Sequence, residues 1–152
     1  MKHRTTILAA LAMLLGTAAL AQGGTTAPQP PADLQRLGDS LHLDASQQGR
    51  WQIVLAAAAE SQGTSQTQLQ VLAAAAREEL GRPDADLPGL VRRQNQAATR
   101  ILEARTRERQ SFLDFYATAS PAQQAAMRQF LLDKINRVER LQKLGASFGL
   151  GS

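Results

Sequence analysis

Arg93, Arg100 and Arg107 recur every seven residues, and in this 152-residue chain they are the side chains whose type and spacing most plainly could do chemistry. On a straight helix a seven-residue repeat drifts by only ~20° per step, so the three form a basic stripe. A guanidinium stays protonated and offers forked donors to carboxylates, so the chemistry open to the stripe is ionic attraction and not proton transfer. Bond-making chemistry finds little elsewhere. There is no cysteine, and beyond residue 21 His42 is the one imidazole and Met127 the one thioether. Neither has a second soft ligand at helical spacing, which disfavours a metal site and leaves His42 as an exposed loop residue before a helix cap. No Gly-rich phosphate loop or Gly-x-Ser-x-Gly elbow occurs. Asp84 and Asp86 fall in a turn, where solvation and capping account for them. The expectation is therefore a chain that is not an enzyme and carries no cofactor.

The first 21 residues read as a secretory signal peptide. Lys2, His3 and Arg4 form a positive start, Ile7 to Leu15 an apolar run, and Ala19-Leu20-Ala21 a small-x-small cleavage site. The apolar run is shorter than the roughly 20 residues of a spanning helix, so a stable membrane anchor is not expected. Cleavage after Ala21 removes Lys2 and Arg4 and lowers the formal charge from +4 to about +2. Half of the apparent basicity is thus a targeting tag, and a nucleic-acid partner loses its compositional support. An exported chain without cysteine has no disulfide framework, so helix packing must hold it together.

Residues 22–33 carry Gly, Thr and Pro with almost no large apolar side chain and read as a flexible linker. Residues 145–152 read as a flexible tail in which Phe148 and Leu150 could dock weakly. Residues 34–144 between them suffice for one all-α domain of four helices, two shorter ones followed by a long antiparallel helical hairpin. The first helix is expected from Asp44 to about Gln62, with Trp51, Val54, Leu55, Ala58 and Ala59 on one face. Gly63 and Thr64 weaken or interrupt it, and a second helix runs to Leu80, either separate from the first or continuous with it as one bent rod.

A third helix follows the turn at Asp84 to Pro88 and continues to about Ala117. Steps of 100° place Leu90, Val91, Ala97, Ala98, Ile101, Phe112, Phe115 and Tyr116 on one broad face, with the arginine stripe opposite and Glu103 in reach of Arg107. Arg105 and Glu108 project onto the apolar face, either as an exposed ion pair or as a polar pair fixing register at a helix crossing. The fourth helix aligns Met127, Phe130, Leu131, Ile135, Val138 and Leu141, and packs back on the third. Long amphipathic helices in so short a chain expose apolar surface when alone, which points to a homodimer.

Two matching helix-start signals frame this arrangement: Leu43-Asp44-Ala45-Ser46-Gln47 and Ala119-Ser120-Pro121-Ala122-Gln123. Each reads as a capping box, in which Asp44 or Ser120 accepts a backbone N–H while Gln47 or Gln123 reaches back to the cap. Pro121 takes the first helical position, where its missing N–H costs nothing. With the export signal, the arginine-bearing helix and the absence of cysteine, these boxes resemble the Leu-Thr-x-x-Gln motifs of the Spy/CpxP family of periplasmic proteins over about residues 34–144. Asp44 and Ser120 stand where the family has Thr, and Ala119 where it has Leu.

The resemblance implies a cradle-shaped antiparallel homodimer in the periplasm. It would bind unfolded or misfolded envelope proteins without ATP, as part of an envelope stress response. By similarity, Arg93, Arg100 and Arg107 would attract acidic client segments, while Ile101, Phe112 and Phe115 supply apolar contact. A solvated helix face accounts for the stripe equally well. The resemblance also admits a regulatory adaptor that docks on the periplasmic domain of an envelope-stress or metal-responsive sensor kinase.

Overall fold

The computed structural model describes residues 28–147. The stretch expected to be a signal peptide, residues 22–27 of the expected linker, Phe148 and Leu150 lie outside the described residues. Within them the chain forms four helices and no strand: α1 (Ala32–Ser40), α2 (Ala45–Leu80), α3 (Leu87–Thr118) and α4 (Pro121–Ser147). The all-α class and the number of helices agree with the sequence reading, while the division of the chain among them differs.

Of the two alternatives at Gly63 the continuous one occurs: α2 is one helix of 36 residues, ~54 Å long, in place of the two shorter helices. A single interior glycine costs only about 1 kcal/mol relative to alanine, too little to break a helix packed on both sides of it. Gly63 also has a use. A Cβ there would stand 2.8 Å from Pro28 Cγ, so the glycine admits the chain leading into α1. That chain is only partly linker, because α1 begins within it. Leu34, Leu37 and Leu41 bury themselves against α2 in a core cluster with Trp51, Val54, Leu55, Ala58, Phe115 and Met127. Their spacing of three and four residues is a helical signal that the surrounding Pro and Gly masked.

The long hairpin is made by α2 and α3. Trp51 meets Phe115 edge-on at 4.9 Å between ring centroids, and Glu60 meets Arg107 further along, which sets the two helices antiparallel. All five residues expected on the first helix face, Trp51, Val54, Leu55, Ala58 and Ala59, are buried. On α3 the buried positions are Ala97, Ala104 and Phe115. Val91 and Ala98, expected beside them, are exposed. The seam is therefore graded: aromatic and aliphatic bulk at the base near Trp51, and small residues (Ala58, Ser61, Ala75, Ala97, Ala104) elsewhere along it.

The fourth helix does not lie back along the third. The packed face of α3 is already occupied by α2, and Ala119 is extended (φ −76°, ψ 150°), which redirects the chain. Only the first turns of α4 join the core, through fully buried Met127 and half-buried Phe130. Residues 131–140 are exposed throughout.

Both capping boxes form. Gln47 N donates to Asp44 Oδ1 (2.8 Å) and Asp44 N to Gln47 Oε1 (3.2 Å). Gln123 N donates to Ser120 Oγ (3.3 Å) and Ser120 N to Gln123 Oε1 (2.8 Å). The two boxes also meet. Gln47 and Gln123 form a reciprocal amide pair, each Nε2 donating to the other's Oε1 at 3.0 Å, and Gln123 Nε2 donates further to Leu41 O at 3.1 Å. The backbone donors of Asp44 and Ser120 require an oxygen at each Oε1 position, so the caps themselves fix which way both amides point. Leu43 and Ala119, the residues preceding the caps, pack against the core.

Because the two boxes share their glutamines, their losses are not independent. Gln47→Ala and Gln123→Ala should each cost ~1 kcal/mol or more in urea unfolding. The double variant should lose less than the sum by at least about 0.5 kcal/mol, and strict additivity would mean the amide pair does not form in solution.

Candidate binding surface on the helical hairpin

The arginine stripe does not lie opposite the packed face of α3. Arg93, Arg100 and Arg107 alternate with buried Ala97 and Ala104 at steps of three and four residues, so they edge the seam with α2. An alanine seam brings the helices close, and the long arginine stems extend over it while their guanidinium groups stay in water. The three then part company. Arg107 Nη2 bonds Glu60 Oε1 of α2 at 2.9 Å, instead of pairing with Glu103 on its own helix. Arg93 and Arg100 have no carboxylate partner among the described residues. With Gln68, Val71, Leu72 and Ala75 of α2 and Gln96 and Ala97 of α3 they line a shallow groove of about 100 Å³. That groove brings exposed positive charge, amides and a few aliphatic side chains within one short stretch of the hairpin.

The apolar residues named with the stripe are not on this surface. Phe115 is 2% exposed and belongs to the core, where it meets Trp51 edge-on, so it is not free for a surface contact. Phe112 is half-buried and packs on the same core, 6.4 Å from Trp51 between ring centroids. Ile101 is half-buried, while Arg105 is exposed and forms no ion pair with half-buried Glu108. Of the exposed large apolar residues Val71 lines the groove, and most of the others lie elsewhere. Val91, Leu102 and Leu113 recur every eleven residues on the outward side of α3, and Leu131, Leu132, Ile135 and Val138 lie on α4. The α4 row continues the stripe that begins at buried Met127.

His42 is exposed and holds a left-handed conformation (φ 47°) between α1 and α2. Among the described residues no group of three or more His, Cys, Asp or Glu could hold a metal ion, and no helix is long and apolar enough to cross a membrane.

One contact escaped the sequence reading because it joins residues about a hundred positions apart. Lys134 Nζ of α4 sits 3.0 Å from Asp33 Oδ2 of α1 and 4.9 Å from the centre of the Phe130 ring. Burial alone pushes the Asp33 carboxyl upward. The hydrogen bond and charge of Lys134, with the amides of Leu34 and Asp33 itself, outweigh it and hold the group below its ordinary range.

These features define an all-helical protein whose two capped helix starts are joined, with a basic groove at the edge of the hairpin seam and an exposed apolar row on α4. The chain matches no known family model, no curated protein and no solved structure.

The Asp33 carboxylate gives a pH dependence of definite sign. A carboxyl held low in the folded state stabilises the fold above its unfolded pKa of ~3.9, and the contribution fades as pH falls through the folded value. Asp33→Asn should therefore be less stable than the wild type at pH 7 and at pH 5. The gap between their urea midpoints should close below about pH 4. A gap that is the same at every pH would show that the charge of Asp33 contributes nothing.

Proposed function

We propose that this chain is an ATP-independent periplasmic chaperone of the Spy/CpxP kind, acting as a homodimer on unfolded or aggregation-prone envelope proteins. The observation that carries the reading is the seam-edge groove, where Arg93 and Arg100 stand without carboxylate partners beside Val71 and Leu72. Weak attraction to an acidic segment needs exposed charge that is not already neutralised, and adaptable contact needs shallow apolar surface beside it. Arg107 serves differently in this reading, because its bond to Glu60 ties the hairpin together. The homodimer rests on the α4 row of Leu131, Ile135 and Val138, whose continuation of a core stripe into solvent leaves apolar surface that a second copy would cover.

Light scattering of two unrelated denatured proteins, with the mature chain added and no nucleotide, tests the reading. Suppression of both near equimolar ratio is expected. Arg93→Glu with Arg100→Glu should raise the amount needed by roughly threefold or more at unchanged helicity, because it reverses the attraction without touching the Arg107 bond. Suppression of neither client, together with capture of one envelope partner, would place the chain among the sensor-kinase adaptors instead. Sedimentation should show two copies, and Ile135→Glu with Val138→Glu should yield a monomer. A wild-type monomer at working concentration would remove the dimer from the proposal.

A further inference from the structure

The geometry points to α1 as a releasable strap that is latched onto α4 by Asp33 and Lys134 and whose lifting uncovers Trp51 and the apolar face around it. Four observations meet at this helix. The indole of Trp51 is 3% exposed, yet its Nε1–H has no hydrogen-bond partner. No protein group accepts from this donor while α1 is closed, so nothing polar ties the indole to the strap.

Gly38 of α1 lies directly on that ring: a Cβ there would stand 2.7 Å from Cδ1 and 2.9 Å from Cε2. The absence of a side chain is what lets the strap close. At nine residues α1 is too short to persist as a helix by itself, and beyond the burial of Leu34, Leu37 and the adjoining Leu41 it is held by the Leu41 O bond from Gln123 and by the Asp33–Lys134 pair. It is also not flush with its support. A groove of about 560 Å³ runs beside it, with Gln35, Gly38 and Asp39 on one wall and Trp51, Gln52 and Leu55 on the other.

The strap holds whatever the chain's clients are. That the uncovered face of Trp51, Val54 and Leu55 adds to the surface offered to an unfolded segment rests on the chaperone reading above.

Trp51 is the only tryptophan of the chain, so its fluorescence reports this one place. Acrylamide quenching of the full mature chain is measured for wild type, Asp33→Lys, Lys134→Asp, the swap carrying both, and Gly38→Ala. Each single charge variant should raise the quenching constant about twofold or more at unchanged helicity, and the swap should return it to the wild-type value. Gly38→Ala should raise it whatever the charges, by holding the strap off the ring. Three results would overturn the strap: single variants quenched no more than wild type, a swap that fails to restore shielding, or quenching that rises only at the denaturant midpoint of the whole helical fold. The same variants in the light-scattering assay keep the two readings apart. Increased quenching with better suppression supports a strap over client-binding surface, and increased quenching with unchanged suppression overturns that use of it.

Discussion

The amide pair between Gln47 and Gln123 is the interaction on which the arrangement of the helices depends. It brings the N-termini of α2 and α4 together, and such an encounter is unfavourable in itself, because each end carries partial positive charge and unpaired N–H groups. The two boxes answer this with oxygen: the Asp44 carboxylate, the Ser120 hydroxyl and both glutamine carbonyls accept from those N–H groups, and the leftover amide protons join the boxes to one another and to Leu41 O. Asp44 at the first cap adds a full negative charge at the junction, which a serine or threonine would not. The C-terminal end of α1, the start of α2 and the start of α4 are thereby set at one point, with the Trp51, Phe115 and Met127 core beside it.

From that fixed base the packing declines outward. Bulky side chains cluster around Trp51, where each large-to-small change would cost several kcal/mol, of the order of 3–5 for an aromatic. Further along the seam the buried residues are alanines and Ser61, which bring the two helices close while burying little area. The hairpin so made is long and thin, with most of its large side chains facing outward. Close packing of α2 on α3 also decides the course of α4, since α3 has no second broad apolar face for α4 to cover. The apolar stripe of α4 therefore runs out of the core after Met127 and Phe130.

How much of this was legible in the sequence depends on the range of the interaction. Both capping boxes could be read because every group in them lies within four residues, and the face of α2 from Trp51 to Ala59 because its period is local. Helix pairing could not be read: the apolar positions of α3 fit α2 or α4 equally well, and only the competition between them assigns the face to α2. The same competition moved Phe115 from a presumed contact surface into the core and exposed Val91 and Ala98. The stripe at Arg93, Arg100 and Arg107 was visible as a repeat, but its position at the edge of the seam follows from the alanines between the arginines. Arg107 found Glu60, 47 residues away, a partner that no local rule proposes. The leucines of α1 had helical spacing in plain view, and prolines and glycines on either side outweighed them in a reading by composition.

The α4 row and the groove at the seam edge differ in what each surface can do. An apolar row such as Leu131, Ile135 and Val138 gains most from a partner of matching shape that stays in place, because its stabilisation grows with the area removed from water and is insensitive to salt. Arg93 and Arg100, on the hairpin, stay solvated beside a groove of only about 100 Å³. Contacts there are weakened by salt and bury little area, which favours partners that come and go. In the proposed reading the chain can assemble through the α4 row without blocking the groove, and Arg107, bonded to Glu60, ties together the hairpin that carries the groove.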